Sequence, residues 1–252
     1  MTTCQKEVLR DIKAVLFDLD GTLLDIDIDF FLQKYFERMV ALARQFGIAG
    51  HDSLVQHIWR STEAMIANKD VHRTNQEVFE EAFFRDFPEP PETMKPFFDH
   101  FYEHSFASLK DCCQPYPLVA DIMAKVFAKG LRVVIATNPL FPLTALQHRL
   151  NWAGVGSFPY ELITSYEVMH FTKPHVEYYH EIIDFLGLKP GECLMVGNDV
   201  YEDLSAARTG MKTFLLKERL LNHHNLPVKA DWEGYLPDLA NLVDKIVAPV
   251  KG

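Results

Sequence analysis

Two carboxylates stand two positions apart, Asp18 and Asp20, directly after the short strand-like run Lys13–Phe17. Like charges this close repel each other unless a cation binds nearby or one carboxyl group keeps its proton. Both outcomes suit a metal-assisted reaction in which one carboxylate attacks and the other transfers a proton. Asp and Gly are also common in solvated turns, but α/β proteins bind ligands at the carboxyl ends of buried parallel strands. Asp18 and Asp20 are therefore the first candidates for chemistry.

Three later segments also place polar side chains next to apolar runs or prolines. Thr137 and Asn138 follow one strand-like run, an acidic cluster at residues 198–203 follows another, and Lys173 precedes a proline. Each segment alone has an ordinary explanation: a helix cap, a solvated turn or a surface lysine. Because Pro139 lacks an N–H and has a helix-ready φ, the sequence predicts that Asn138 caps a helix beginning at Pro139, whose positive end faces an anion.

These four segments, taken in order, resemble the four motifs of the haloacid dehalogenase superfamily. The resemblance covers the chain from Lys13 to about Leu216. It implies a phosphatase-like enzyme with a Rossmann-like core, a helical cap and Mg²⁺ as cofactor. It also implies that Asp18 attacks phosphorus, whereas Asp20 protonates the leaving oxygen and later activates water. These roles fit the groups, because carboxylates are known covalent carriers of phosphate.

The resemblance assigns further roles residue by residue. The Thr137 hydroxyl and the backbone N–H groups of Leu19 and Asn138 are expected to bind phosphate oxygens. Lys173 is expected to stabilise the charge that spreads over the phosphoryl group in the transition state. The catalytic set implied is therefore Asp18, Asp20, Thr137 and Lys173, with Leu19 and Asn138 as substrate-binding residues.

A magnesium site is expected on Asp18, Asp20, Asp199 and Asp203, because Mg²⁺ prefers hard oxygen ligands and keeps several waters. Within the last motif, Asp199 is the preferred direct ligand. Asp203 is either a second ligand through water or a partner of the motif's lysine. The family commonly has an aspartate where this chain has Asn198, so a ligand role for the neutral Asn198 amide stays open.

Strand-like runs alternate with helical stretches such as residues 118–129. This rhythm is typical of βαβ units and predicts an α/β fold with a doubly wound, Rossmann-like parallel sheet. The predicted strands are Lys13–Phe17, Arg132–Ala136, Glu161–Thr164, Cys193–Val196 and Thr213–Leu216.

More than a hundred residues without a strand-like pattern separate the first of these strands from the second, far more than a crossover needs. They carry helical signals instead: an apolar face, a capping box and an aromatic face, at residues 54–66, 74–77 and 97–106. We therefore expect a core of residues 1–24 and 113–252, and a helical cap of residues 25–112 next to a hinge at residues 115–117.

Composition limits the partners. Hydrophobic residues make up 48% and charged residues 24% of the 252 residues, which is typical of a folded globular protein. The net charge of -10 gives no electrostatic footprint for nucleic acid or an anionic membrane surface. The expected partner is a small phosphorylated metabolite, which must be bound by a local positive site, and the oligomeric state stays open.

Location is interpreted from what the sequence lacks. The four cysteines, Cys4, Cys112, Cys113 and Cys193, include no CxxC pair, so a disulfide framework is not expected. The N-terminal segment has no apolar signal region, and no apolar run is long enough for a bilayer. These features favour a cytoplasmic, reducing location.

The motifs leave three alternatives to phosphoester hydrolysis to consider. A phosphomutase uses the same residues and passes the phosphoryl group to a sugar hydroxyl instead of water, so the motifs do not distinguish it. Asp20 argues against a 2-haloacid dehalogenase, because a halide leaving group needs no proton. A non-catalytic binding module is disfavoured because both carboxylates and the lysine are present. The favoured function is magnesium-dependent hydrolysis of a small phosphomonoester through an aspartyl-phosphate.

Overall fold

The computed structural model of the chain describes Leu9 and residues 11–247, so Cys4 and most of the N-terminal segment lie outside the described residues. Six strands form one parallel sheet in the order β5-β4-β1-β6-β7-β8, and β2 pairs with β3 in an antiparallel ladder. The strands are β1 (Ala14–Phe17), β2 (Leu24–Ile26), β3 (Cys113–Pro115), β4 (Arg132–Ile135), β5 (Leu162–Ile163), β6 (Cys193–Gly197), β7 (Lys212–Leu216) and β8 (Trp232–Gly234).

Both faces of the sheet are covered, which explains why its central strands are continuous apolar runs. Successive side chains of a strand point to opposite faces. In β1, Val15 and Phe17 join one apolar cluster, and Ala14 and Leu16 join another. The predicted α/β fold with a doubly wound parallel sheet is confirmed.

 The described residues form eight α-helices, four of them between β2 and β3. The α-helices are α1 (Ile28–Gln45), α2 (Leu54–Ala67), α3 (Asn75–Phe84), α4 (Pro91–His100), α5 (Val119–Ala128), α6 (Leu143–Trp152), α7 (Val176–Leu186) and α8 (Leu236–Lys245).

The segment between β2 and β3 is helical, and we call residues 28–112 the helical insert. It contains α1 to α4, followed by a π-helical turn at Phe101–Ser105 and a 3-10 helix at Phe106–Cys112. The capping box predicted at residues 74–77 is confirmed: the Thr74 side chain accepts from the Glu77 N–H, and the Glu77 side chain accepts from the Thr74 N–H. Apolar residues of the insert and of one sheet face form a single cluster.

The sequence missed three strands. Two of them, β2 and β3, lie between the first and second predicted strands, where the sequence shows no strand-like pattern. Each has three residues and includes a polar side chain, so neither shows an apolar run. β8 is equally short and contains Glu233. The five predicted sheet strands are present, with no bound shifted by more than one residue.

The helix predicted to begin at Pro139 is also wrong. α6 begins at Leu143, after Pro142 in an extended conformation. A helix from Pro139 would need an N–H from Pro142, and the residue before a proline avoids the helical region. No helix within the described ranges is long and apolar enough to cross a membrane.

Candidate active site

The candidate site lies where the strand order reverses around β1. β1 pairs with β4 on one side and β6 on the other, so the carboxyl ends of all three strands are adjacent. Asp18 follows β1, Thr137 lies just beyond β4, and Asn198 follows β6. Such a crevice is the usual ligand site of a doubly wound sheet.

Asp18 is joined to the later motifs by a buried lysine. Lys173 is only 1% exposed, and its Nζ lies 3.0 Å from Asp18 Oδ1 and 2.6 Å from Asp203 Oδ1. Burial alone lowers the pKa of the Lys173 ammonium, but the two carboxylates outweigh it and raise that pKa well above its usual value. Lys173 is therefore held as a cation beside Asp18.

Asp20 has a partner that the sequence did not reveal. Arg149 of α6 is 1% exposed and donates from Nη1 to Asp20 Oδ2, while its guanidinium lies 4.4 Å from the centre of the Phe141 ring. Burial raises the pKa of the Asp20 carboxyl, and Arg149 opposes that change. A charged residue on the buried face of α6, between Leu146 and Leu150, is the signal that could have indicated this pair.

Two buried polar atoms of this pair have no hydrogen-bond partner among the described residues: Asp20 Oδ1 and Arg149 Nη2. Both residues line the cavity at the site. Unsatisfied buried groups are costly, so such atoms at a ligand cavity are candidates for contact with substrate or solvent.

Thr137 and Asn138 are brought to the site, but Asn138 is not a helix cap. Its Nδ2 donates to Glu202 Oε1 at 2.9 Å, and its Oδ1 accepts from the Lys173 N–H at 3.3 Å. The Thr137 carbonyl accepts from the hydroxyls of Thr164 and Tyr178 at 2.7 and 2.9 Å. The Asn138 side chain therefore connects three of the four motifs.

The acidic cluster is divided by its hydrogen bonds. Asp199 Oδ1 accepts from the backbone N–H groups of Tyr201 and Glu202, at 2.7 and 2.9 Å. Asp203 Oδ2 accepts from the Asp199 N–H at 2.9 Å, and its other oxygen binds Lys173. Burial raises the pKa of Asp203, against the opposing charge of Lys173. Both Asp203 oxygens are thus engaged within the protein.

Asn198 is held by the loop that carries the first motif. Its Oδ1 accepts from the Thr22 hydroxyl at 2.8 Å, and its Nδ2 donates to the Arg219 carbonyl at 2.6 Å. The approach is close enough to require glycine at position 21: Gly21 has φ of +82, and an added Cβ would lie 2.5 Å from Asn198 Nδ2. This contact fixes the first motif against the last.

The oxygen atoms around Asp18 fit magnesium in kind. No three acidic, His or Cys side chains in the described part of the chain form a preassembled metal cluster. The donors that line the cavity are nevertheless carboxylate and amide oxygens, from Asp18, Asp20, Asn198 and Asp199, and one of them, Asp20 Oδ1, is buried without a partner. Hard oxygen donors are those that Mg²⁺ prefers.

A cavity of about 500 Å³ opens at this site. Residues of the first, second and last motifs line it together with side chains from the helical insert. The sequence identified the aromatic face at residues 97–106 only as helical packing, yet Phe98 and Tyr102 line the cavity. Leu19, between the two cavity-lining carboxylates, is buried. Its carbonyl accepts from the N–H groups of Leu23 and Leu24.

Known proteins resemble this chain over most of its length. The sequence profile of the haloacid dehalogenase-like hydrolases matches residues 12–210. A glyceraldehyde 3-phosphate phosphatase of Methanothermobacter thermautotrophicus is 27% identical over 217 residues, which are 83% of this chain and 87% of that protein. A phosphoglycolate phosphatase of Aquifex aeolicus is 24% identical over 208 residues, or 81% and 84% of the two chains.

Solved structures share the fold. A phosphatase from Thermococcus onnurineus superposes with a TM-score of 0.56 at 22% identity, covering 93% of this chain and 99% of that one. An L-2-haloacid dehalogenase gives 0.53 at 18% identity, with coverage of 93% and 99%. Since these two enzymes share a fold, the fold alone does not select the reaction. The matched profile spans all four motifs, and the protein therefore belongs to the haloacid dehalogenase-like hydrolases.

Proposed function

We propose that the protein is a magnesium-dependent phosphomonoesterase that forms an aspartyl-phosphate on Asp18. The observation that carries this proposal is the buried contact of Lys173 with Asp18 and Asp203, beside Asp20 at the carboxyl edge of the sheet. Phosphatase names among the relatives support phosphoester hydrolysis as the reaction class.

The residues divide the reaction into two steps. An Asp18 oxygen attacks phosphorus while Asp20 gives its proton to the leaving alcohol oxygen. Asp20 then accepts a proton from the water that attacks the aspartyl-phosphate. Lys173 offsets the negative charge of Asp18 and of the approaching phosphate, and Thr137 donates its hydroxyl to a phosphate oxygen, with the N–H groups of Leu19 and Asn138.

Magnesium, when bound, supplies positive charge at the phosphoryl oxygens. We propose that Asp18 and Asp199 hold it, with Asn198 as a neutral oxygen donor. Of the two roles considered for Asp203, its contacts support that of a partner of Lys173. Asp20 Oδ2 is paired with Arg149, which leaves Oδ1 for a ligand.

The helical insert is proposed to act as a cap. The boundaries expected from the sequence, residues 25–112, fall close to the β2–β3 pair that brackets the insert. Side chains of the insert line the same cavity as the motif residues. A cap in this position excludes water from the site during phosphoryl transfer.

The test is a screen of phosphorylated metabolites for phosphate release, with and without Mg²⁺, using the parent enzyme and Asp18→Asn. The variant is expected to lose turnover and keep its far-UV and near-UV circular dichroism spectra. Asp29→Asn is the matched control, because Asp29 is an exposed carboxylate at the start of α1. Near-parent activity of Asp18→Asn would remove Asp18 from the mechanism.

A further inference from the structure

The helical insert gives the cavity an aromatic wall. Its six aromatic side chains that line the cavity are Tyr35, Phe36, Trp59, Phe79, Phe98 and Tyr102. The Trp59 and Phe36 rings lie 5.6 Å apart, and Trp59 is 45% exposed. Aromatic faces bind other rings by stacked or edge contacts and contribute more than their buried area alone.

The cavity has little positive charge to bind an anionic group of the substrate other than its phosphate. Among its described lining residues Arg149 is the one arginine or lysine; its charge is shared with Asp20 through Nη1, which leaves only Nη2 for a ligand. His223 is the other basic side chain, at an exposed position. The charged lining residues from the insert are Asp99 and Glu103, both acidic. A carboxylate on the leaving group would therefore meet like charge and lose its hydration without compensation.

The size of the cavity indicates a large leaving group. About 500 Å³ lies within the range of pockets that enclose ring-containing ligands. A two-carbon acid such as the alcohol part of phosphoglycolate would leave most of the aromatic wall without contact. The volume of the cavity, its aromatic lining and its charged residues therefore all favour a leaving group that has a ring and no anionic group.

We infer that the substrate is a phosphomonoester of a ring-bearing alcohol that carries no anionic group, with its ring against the aromatic wall. This inference rests on the proposed phosphomonoesterase function and narrows its substrate class. Phosphoglycolate, the substrate named for one relative, is expected to be poor here because it carries a carboxylate.

Two matched pairs of esters test the inference with Mg²⁺ present. Benzyl phosphate against ethyl phosphate tests the ring, and phenyl phosphate against 4-carboxyphenyl phosphate tests the charge. The first member of each pair is expected to have a kcat/KM higher by at least about 10-fold, as for pockets that select by apolar contact or by an uncompensated polar group. Equal or reversed preferences would overturn the inference while leaving the phosphatase proposal intact.

Variants of insert residues test whether the helical insert determines these substrate preferences. Trp59→Ala should reduce the benzyl-over-ethyl ratio several-fold, whereas Phe46→Ala, which removes an exposed ring outside the cavity lining, should not. Thr62→Lys places a cation in the lining and should favour the carboxylated ester relative to Thr62→Met. An unchanged ratio in both Trp59→Ala and Thr62→Lys would overturn the assignment of this wall. Absence of turnover on every ester, with Mg²⁺ supplied, would instead contradict the proposed function.

Discussion

At the scale of single residues, the sequence indicated the charged residues of the motifs more reliably than the side chains that contact them. Asp18, Asp20, Lys173 and Asp203 lie together as their motifs suggested, but side-chain contacts are not encoded in motif spacing. Arg149 was missed because it lies outside every motif and reaches Asp20 only after α6 packs.

The acid role of Asp20 predicts a dependence on the leaving group. Asp20→Asn should lose about 10²- to 10⁴-fold in kcat/KM on an alkyl phosphate, and much less on p-nitrophenyl phosphate, whose leaving oxygen is a weak base. The comparison is made by steady-state kinetics on both esters. Equal losses would refute the acid role.

The Arg149–Asp20 pair predicts coupling in stability. Arg149→Met leaves the largely buried Asp20 carboxylate without its cation and should lower the free energy of unfolding by about 3 kcal/mol. The double variant with Asp20→Asn should recover part of that loss, since neither charge is then buried alone. Urea unfolding of the two single variants and the double variant measures the coupling, and strictly additive losses would argue against it.

The choice of Asp199 as magnesium ligand predicts a titration order. Asp199→Asn should raise the magnesium concentration for half-maximal activity more than Asp203→Asn does, because Asp203 acts through Lys173. Loss of such a supporting residue typically costs about 10- to 100-fold in affinity or activity. Asn198→Ala in the same series tests the neutral donor. If Asp203→Asn needs far more magnesium and Asp199→Asn titrates like the parent, the choice of Asp199 as the direct ligand is wrong.

At the scale of elements, strands and helices with strong local signals were predictable and short ones were not. The five apolar runs became sheet strands because burial on both faces demands continuous apolar sequence. β2, β3 and β8 have three residues each, too few for a pattern, and form through pairing with distant partners. The shift of α6 from Pro139 to Leu143 reflects Pro142, whose effect on the preceding residue outweighed the cap signal.

The capping box of α3 predicts a measurable stability contribution. Thr74→Ala removes the acceptor for the Glu77 N–H and should lower the free energy of unfolding by about 1 kcal/mol. Thr93→Ala in the first turns of α4 is the control, because Thr93 is exposed and begins no capping box. Thermal or urea unfolding of the two variants gives the difference, and equal stabilities would show that the box contributes nothing.

At the scale of the whole molecule, the insert and the sheet edge together make the cavity. The sequence predicted a helical segment at about the right place, but the aromatic residues that line the site were indistinguishable from core residues in a periodic pattern. The net charge of -10 opposes an anionic substrate, so the proposed function requires local cations, which Lys173 beside Asp18 and Arg149 beside Asp20 supply. The fold thus places positive charge at the site of a protein whose composition is acidic.

The most direct test of the proposed mechanism is to trap the covalent intermediate. The enzyme is quenched in acid during turnover of its best phosphomonoester, digested, and its peptides are analysed by mass spectrometry. The proposed mechanism predicts a phosphoryl group, labile to hydroxylamine, on the peptide that contains Asp18, and none in Asp18→Asn. A phosphoryl group on a different residue during productive turnover would contradict it.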